Sequence, residues 1–262
     1  MVFYDRKNEI DFFEKVKTKQ EKQFIVLYGR RRIGKTTLIK KVFSNEKEDD
    51  FLYHFVEVSR EETQLKNISN CISKATFNNW YDLFSELFKR KKVVVFDEFQ
   101  NFSTINKNIF SALQHAWDET KSNVKLIVLG SYVGLMKKLF TEKKLPLFGR
   151  NDYIIKIKEF PKKEALKILI SYGYSIEEAV QIVLLVGGVP KYLIPFKEKA
   201  SLKEKIYDLF IDDFSPFKEE TKNILIQEFG LEHKSYFSIL KGIAGKRKSL
   251  SELTDITGIP NT

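Results

Sequence analysis

Residues 24–39 run FIVLYGRRRIGKTTLI, in which an apolar segment, a turn and the start of a helical pattern follow one another directly. The turn lies between Gly29 and Gly34, and Lys35 and Thr36 come immediately after it. This spacing matches the phosphate-binding loop G-x-x-x-x-G-K-[ST]. The alternative is a surface loop rich in glycine and basic residues, but the strand before the motif and the helix after it favour the phosphate-binding loop.

The chemistry of a triphosphate explains why these residue types occur in this order. The two glycines let the backbone bend so that successive N–H groups point at one phosphate. The following helix adds its unpaired first-turn amides and the positive end of its dipole. Lys35 supplies a mobile positive charge for the outer phosphates, and the Thr36 hydroxyl can join the coordination shell of Mg²⁺. The residues predicted to bind ATP or ADP in this loop are Gly29, Arg30, Arg31, Arg32, Ile33, Gly34, Lys35, Thr36 and Thr37.

The composition is that of a globular protein. The chain has 262 residues, of which 43% are hydrophobic and 31% charged, which is enough for one core and a smaller appended part. No apolar run approaches the length that crosses a bilayer, and the first residues lack the apolar segment of a signal peptide. The single Cys71 excludes an internal disulfide. These features predict a cytoplasmic protein without a membrane partner.

The chain is basic, with a net charge of +10 and an isoelectric point of about 9.3. Such a balance suits a polyanionic partner, for which nucleic acid is the first candidate. The alternative is an ordinary solvated surface, because the lysines are spread along the chain and interleaved with acidic residues. DNA is therefore kept as a candidate partner, bound without sequence preference and with strong salt dependence.

A second buried strand ends in two adjacent acids. Residues 92–100 read KVVVFDEFQ, and the unbroken apolar run indicates a strand covered on both faces, as in a parallel sheet. Adjacent acids at the end of such a strand are unfavourable unless a cation or a reaction uses them. After a phosphate-binding loop this is a Walker B pattern, in which Asp97 holds Mg²⁺ and Glu98 deprotonates the attacking water. The alternative is that both acids cap the next helix.

The remaining patterns complete an α/β sheet. Strands are predicted at 52–58, 124–129 and 153–157, and amphipathic helices at 61–73, 80–88 and 106–121. This alternation predicts a doubly wound, mainly parallel sheet with flanking helices and with ligands at the carboxyl ends of its strands. Ser131 follows one strand, where it either senses the γ-phosphate or caps the next helix. Arg150 either neutralises phosphate charge as an arginine finger or pairs with a surface acid.

Beyond the fifth strand only helical patterns follow. The predicted domains are a P-loop α/β domain over 1–159, a helical lid domain over 160–230 and a partial winged-helix region over 231–262. In the last region Ser249 begins a helix that Gly258 ends, and a turn at 259–262 would precede a recognition helix beyond Thr262. The alternative for this region is a plain helical hairpin.

These segments, in this order, resemble the archaeal ATPases of the STAND group, which are close to the AAA+ class. The resemblance covers nearly the whole chain and is highly specific. It rests on FYDRKNE at 3–9, YGRRRIGKTTLI at 28–39, VVVFDEFQ at 93–100, LIVLGSYVGLM at 126–136, PLFGR at 146–150, GGVPKYL at 187–193 and LSELTDITGIP at 250–260. It implies an ATPase sheet of the AAA+/STAND type, followed by a small helical domain and a winged helix.

The resemblance also implies residues that contact the base of the nucleotide. In related ATPases an N-terminal box lines the adenine pocket, which places Phe3, Tyr4 and Arg6 there, although Asp5 stands where that box has glycine. The other implied site residues are Ser131 at the sensor position, Arg150 in a glycine-arginine element and Pro190, which packs against the base or ribose.

Two classes of function follow from these observations. The first is an enzyme that slowly hydrolyses ATP with the help of Mg²⁺, using Lys35, Thr36, Asp97 and Glu98. The second is an ATP- or ADP-loaded switch that resembles archaeal replication initiators, binds DNA or a protein and turns over little. A small-molecule kinase shares the loop, but an Asp-Glu pair followed by a helical tail fits such a kinase poorly.

Overall fold

The structure, a computed structural model, describes Tyr4 and residues 6–72, 77–198, 200–230, 233–244 and 248–259. The chain divides into two compact units, Met1–Lys197 and Glu198–Thr262. In the described residues, the first unit contains the sheet together with helices, and the second contains helices alone. The division into three domains remains a prediction.

The described part of the first unit contains a five-stranded sheet in which every neighbouring pair of strands is parallel. Its strands are β1 (Gln23–Tyr28), β2 (Phe51–Phe55), β3 (Val93–Asp97), β4 (Lys125–Gly130) and β5 (Tyr153–Lys156). Their order across the sheet is β2-β3-β4-β1-β5, so that β4 lies between β1 and β3. This topology confirms the predicted α/β fold with a doubly wound parallel sheet.

Helices surround this sheet and continue after it. In the first unit they are α1 (Lys7–Thr18), α2 (Lys35–Val42), α3 (Glu61–Asn70), α4 (Trp80–Arg90), α5 (Phe102–Ile105), α6 (Asn108–Glu119), α7 (Val133–Thr141), α8 (Lys162–Ser171), α9 (Ile176–Val186) and α10 (Pro190–Leu193). In the second unit they are α11 (Leu202–Ile206), α12 (Glu220–Phe229), α13 (His233–Ile243) and α14 (Leu250–Thr257), with a π-helical turn at Tyr207–Ile211. Within the described ranges, no helix is long and apolar enough to cross a bilayer.

Two strands are shorter than predicted because of the acids at the end of β3. Asp97 is the last residue of β3, and Glu98 adopts the left-handed conformation with φ 53° and ψ 42°, which interrupts an extended chain. Strand β2 pairs with β3 and stops with it, since Phe55 lies beside Asp97 in the register. The predicted strand over 52–58 is therefore too long at its carboxyl end.

Strand β1 shows why the central strands are apolar throughout. Phe24 and Val26 belong to a large aromatic-rich cluster on one face of the sheet, while Ile25 and Leu27 belong to a second cluster on the other face. Successive residues of a strand face opposite sides, so a strand covered on both sides cannot alternate with polar residues. This double burial holds the loop after β1 on a rigid base.

A close backbone contact joins Gly188, between α9 and α10, to the segment that follows β5. The amide N–H of Phe160 donates to the carbonyl oxygen of Gly188 over 2.9 Å. A Cβ on Gly188 would lie 2.0 Å from the carbonyl oxygen of Phe160, so only glycine permits this approach. Pro190 then begins α10, at the position where its fixed φ and missing N–H suit a helix start.

The second unit contains the helix signals predicted for its last part. Ser249 and Glu252 form a capping box at the start of α14, and Gly258 ends the helix in the left-handed conformation with φ 68°. Within the predicted turn at 259–262, only Ile259 belongs to the described residues. The winged helix accordingly remains a prediction.

We expect Gly188→Ala to destabilise the first unit, because the new methyl group overlaps with the carbonyl oxygen of Phe160. Overpacking of this kind lowers the free energy of unfolding by about 1–3 kcal/mol. Both tryptophans, Trp80 and Trp117, belong to this unit, so their fluorescence during urea unfolding reports its stability.

Gly134→Ala is the matched control. Gly134 lies in α7, where an added Cβ meets no atom within 4 Å, and alanine favours a helix over glycine by roughly 0.5–1 kcal/mol. The control should therefore match or exceed the wild type in its urea midpoint. A Gly188→Ala midpoint equal to that of the wild type would contradict the predicted overlap.

Candidate functional site

The loop between β1 and α2 is a backbone cradle that excludes side chains at its first glycine. A Cβ on Gly29 would lie 2.3 Å from the carbonyl oxygen of Ile157, the residue directly after β5. Gly34 has φ 91° and is the N-cap of α2, so no side chain caps the first amides of that helix. Uncapped amides at a helix start, together with the helix dipole, form an anion-binding arrangement.

Lys35 is held against this cradle. Its side chain is buried, and Nζ donates to the carbonyl oxygens of Gly29 over 2.7 Å and of Arg30 over 3.0 Å. A buried ammonium group needs such acceptors, because the loss of water is unfavourable for a charge. The positive charge is thereby fixed at the loop, while the side chain of Arg30 itself is exposed.

Asp97 meets the loop from β3. The Thr36 hydroxyl donates to Oδ2 of Asp97 over 2.5 Å, and the Tyr53 hydroxyl donates to the same oxygen over 2.6 Å. The other oxygen, Oδ1, accepts the amide N–H of Glu98 over 2.8 Å. Burial and the hydrogen bond to Asp97 raise the pKa of Tyr53, so its phenol keeps its proton and donates. The two predicted Mg²⁺ ligands, Thr36 and Asp97, are therefore in direct contact.

Glu98 is buried beside this pair and is held mainly through one oxygen. Its Oε2 accepts hydrogen bonds from Ser131 Oγ over 2.6 Å, from Ser131 N over 3.3 Å and from Gln100 Nε2 over 2.5 Å. Its Oε1 lies 3.9 Å from Nε of Arg31. Of the two interpretations for Ser131, the helix cap is not observed: the N-cap of α7 is Tyr132, which makes no side-chain cap.

An apolar pocket lies on one side of the loop. It is lined by Tyr4, Arg6, Ile33, Gly34, Thr37, Phe160, Ile168, Tyr172, Pro190, Leu193 and Ile194. The structure thus brings together Tyr4, Arg6 and Pro190, which were predicted to contact the base. Phe3 belongs to the same predicted box and lies outside the described residues.

Arg6 lines this pocket and hydrogen-bonds to the backbone around it. Its Nη2 donates to the carbonyl oxygens of Ile33 over 3.0 Å and of Lys158 over 2.6 Å, and its guanidinium lies 5.0 Å from the centre of the Phe160 ring. The residue is buried and has the left-handed conformation with φ 75°. It therefore joins the N-terminal segment, the phosphate-binding loop and the segment after β5.

A second, charged pocket adjoins the apolar one. It is lined by Arg31, Arg32, Gly34, Lys35, Thr36, Thr37, Glu98, Pro190, Lys191 and Ile194, and four of these residues also line the apolar pocket. Four cationic side chains face a single acid there, and partial burial, together with the positive charge of Arg32, lowers the pKa of Lys191. Like charges gathered in one cleft suit an anionic ligand. The two pockets together fit a molecule with a flat apolar head and an anionic tail.

Arg150 lies away from the residues that line the two pockets. Its Nη2 contacts Oδ2 of Asp118 over 3.2 Å, its Nη1 donates to the carbonyl oxygen of Phe148 over 3.0 Å, and it lines neither of the two pockets as described. This corresponds to the alternative in which Arg150 pairs with a surface acid. The arginine-finger role remains a prediction.

Among the polar side chains that contact Asp97 or Glu98 or line the charged pocket, sequence reasoning missed Tyr53, Gln100 and Lys191. Gln100 stands two residues after Glu98, so the run DEFQ could have signalled it. Lys191 follows the predicted Pro190 directly and could have been included with it. Tyr53 has no local signal, because only the pairing of β2 with β3 brings it to Asp97.

Comparison with known proteins identifies the class to which this fold and site belong. The family of ATPase domains predominantly from Archaea matches residues 3–196, about three quarters of the chain. The chain therefore belongs to this archaeal ATPase family.

The relatives include two proteins of Methanocaldococcus jannaschii. An uncharacterized protein is 29% identical over 273 residues, which cover 100% of this chain and 58% of the relative. The chain thus spans less than two thirds of that relative's length. An uncharacterized ATP-binding protein is 47% identical over 47 residues, covering 18% of this chain and 80% of the relative.

Three solved structures share the fold. The Walker-type ATPase PABY2304 of Pyrococcus abyssi has a TM-score of 0.62 at 22% identity, covering 97% of this chain and 83% of that one. The ORC2 protein of Aeropyrum pernix, in ADPNP-ADP complexes, has a TM-score of 0.62 at 14% identity, covering 97% of this chain and 79% of that one. A STAND protein of Pyrococcus horikoshii has a TM-score of 0.50 at 17% identity, covering 96% of this chain and 38% of that one. These likenesses confirm the fold of P-loop ATPases and the resemblance noted from the sequence.

Proposed function

We propose that the protein binds ATP with Mg²⁺ and hydrolyses it slowly to ADP and phosphate. The observation that carries this proposal is the 2.5 Å contact between the Thr36 hydroxyl and Asp97, beside a loop that holds Lys35. Membership of an archaeal ATPase family supports it, as does the likeness in fold to a protein solved in ADPNP-ADP complexes.

The donor set at this contact fits a Mg²⁺ ion. Magnesium prefers hard oxygen ligands and is held in nucleotide sites by one or two protein oxygens together with substrate phosphates. Thr36 and Asp97 would supply a hydroxyl and a carboxylate oxygen, both from rigid positions at the edge of the sheet. When bound, the ion neutralises charge on the phosphates.

Glu98 is the proposed general base. Hydrogen bonds from Ser131 and Gln100 hold Oε2, which leaves Oε1 to accept a proton from the attacking water. The water oxygen bonds to the γ-phosphorus while the bond from that phosphorus to the bridging oxygen of ADP breaks. Lys35 and the loop amides stabilise the negative charge that spreads over the phosphate oxygens. The adenine base and the ribose occupy the apolar pocket, against Tyr4 and Pro190.

A nucleotide-loaded switch with little turnover is the second candidate, and the contacts of Glu98 favour it. Its oxygen Oε2 accepts three hydrogen bonds, which hold the carboxylate in one orientation and limit its movement toward a water molecule. Its left-handed backbone further restricts the side chain. Slow hydrolysis and a long-lived ATP state are the expected consequence.

DNA is the proposed partner of this switch. The net charge of +10 and the paired helices α13 and α14 of the second unit support the proposal.

Lys35→Ala tests nucleotide binding. We expect about a 10- to 150-fold loss of ATP affinity, because a hydrogen bond to a charged group contributes about 1.5–3 kcal/mol. Isothermal titration calorimetry with Mg²⁺ present measures the affinity, and Lys89→Ala, on the exposed end of α4, is the control. Unchanged ATP affinity in Lys35→Ala would contradict the assignment of the loop.

Glu98→Gln separates the enzyme from the switch. Loss of a general base lowers turnover by about 10²- to 10⁴-fold, whereas ATP binding should persist. Phosphate release at steady state measures the turnover, and Glu86→Gln on α4 serves as the control. Equal, near-zero rates in the wild type and in Glu98→Gln would favour the switch.

DNA binding should be weak, independent of sequence and steeply salt-dependent. Release of roughly two or more counterions lowers the affinity about tenfold or more between 50 and 200 mM salt. Fluorescence anisotropy with two unrelated labelled duplexes, in the presence of ATP and then ADP, measures it. A salt-resistant complex with one of the two duplexes alone would overturn this view.

A further inference from the structure

The hydroxyl of Tyr53 makes a contact that neither the fold nor the predicted motifs require. Tyr53 lies on the edge strand β2 and donates to Oδ2 of Asp97 over 2.6 Å. The Thr36 hydroxyl donates to the same oxygen over 2.5 Å. Together with the Glu98 amide on Oδ1, these donors hold both carboxylate oxygens and prevent the group from rotating.

The sheet register explains how Tyr53 reaches this carboxylate. Tyr53 pairs with Val95, and Asp97 stands two residues further along β3, on the same face of the sheet. Diagonal neighbours on paired strands are within reach of an aromatic side chain. The contact therefore depends on tertiary structure and on a long side chain with a terminal donor.

The ring of Tyr53 is itself fixed, so its hydroxyl has a defined position. It packs against the apolar cluster that includes Val95 and Leu38. On its other side, Nζ of Lys40 on α2 lies 4.7 Å from the ring centre, a cation–π contact. Phenylalanine would keep both the packing and the cation–π contact, so they do not account for the hydroxyl.

We propose that Tyr53 is a positioning residue for Asp97, which keeps the carboxylate in the orientation that shares Mg²⁺ with Thr36; this inference rests on the proposed function. Groups that hydrogen-bond a metal ligand set its orientation, and their removal typically weakens metal affinity or activity by about 10- to 100-fold. Tyr53 acts through Asp97 and not on the nucleotide.

Tyr53→Phe in the full chain tests this role, with Mg²⁺ and a fluorescent ATP analogue as the probes. We expect the Mg²⁺ concentration for half-maximal binding of the analogue to rise about 10- to 100-fold. Binding in EDTA should equal that of the wild type, and turnover should recover at saturating Mg²⁺. Tyr153→Phe is the control, because its hydroxyl contacts Lys19 over 2.9 Å and lines neither pocket as described.

The outcomes separate this inference from the function on which it rests. If the wild type binds the nucleotide equally well with and without Mg²⁺, both the proposed function and the role of Tyr53 are contradicted. If binding in the wild type depends on Mg²⁺ and Tyr53→Phe gives the same curve of binding against Mg²⁺ concentration, only the role of Tyr53 is overturned. A loss of turnover in Tyr53→Phe that high Mg²⁺ fails to restore would also overturn only that role. Binding in EDTA equal to that of the wild type and a cooperative urea transition verify that the variant is folded.

Discussion

The site depends on one buried carboxylate and the donors that compensate for its burial. Asp97 is 2% exposed, and an ionised group at that depth is unfavourable unless hydrogen bonds or a cation replace the lost water. Thr36, Tyr53 and the amide of Glu98 supply those bonds from three elements of the fold. Because each donor comes from a different element, the carboxylate is satisfied only when the loop, the edge strand and the end of β3 are all in place.

The strand order explains how these elements come close together. Strand β4 separates β1 from β3, so the loop after β1 and the acids after β3 stand on either side of one intervening strand end. Ser131 follows that end and contacts Glu98, while Thr36 reaches Asp97 from the first turn of α2. In an open parallel sheet, the connections at the carboxyl ends diverge around a crevice, which is where ligands bind. The two motifs, 61 residues apart, meet because the sheet brings them to one edge.

The sequence predicted the parts of the site that are local, and missed those that depend on pairing. The loop at 29–36 and the Asp-Glu pair carry their signal within a few residues, so their position at strand ends followed from hydrophobic pattern alone. Ser131 had two interpretations, because its partner Glu98 is 33 residues away. Tyr53 had no interpretation as a site residue, because the sequence of one strand does not show how that strand pairs with its neighbour. The helical lid and winged helix rest on resemblance and on helix signals, and they stay predictions.

The backbone at this site is held in conformations that need support. Among the described residues, the non-glycine residues with positive φ are Arg6, Arg32 and Glu98. All three belong to the two adjoining pockets, and such conformations cost on the order of 1–3 kcal/mol each. Arg6 is fixed by two backbone carbonyls, and Glu98 by Ser131 and Gln100. Strain that is confined to one site and offset by its own hydrogen bonds leaves charged groups already oriented, and that preorganisation is what lets fixed dipoles stabilise charge on a phosphate.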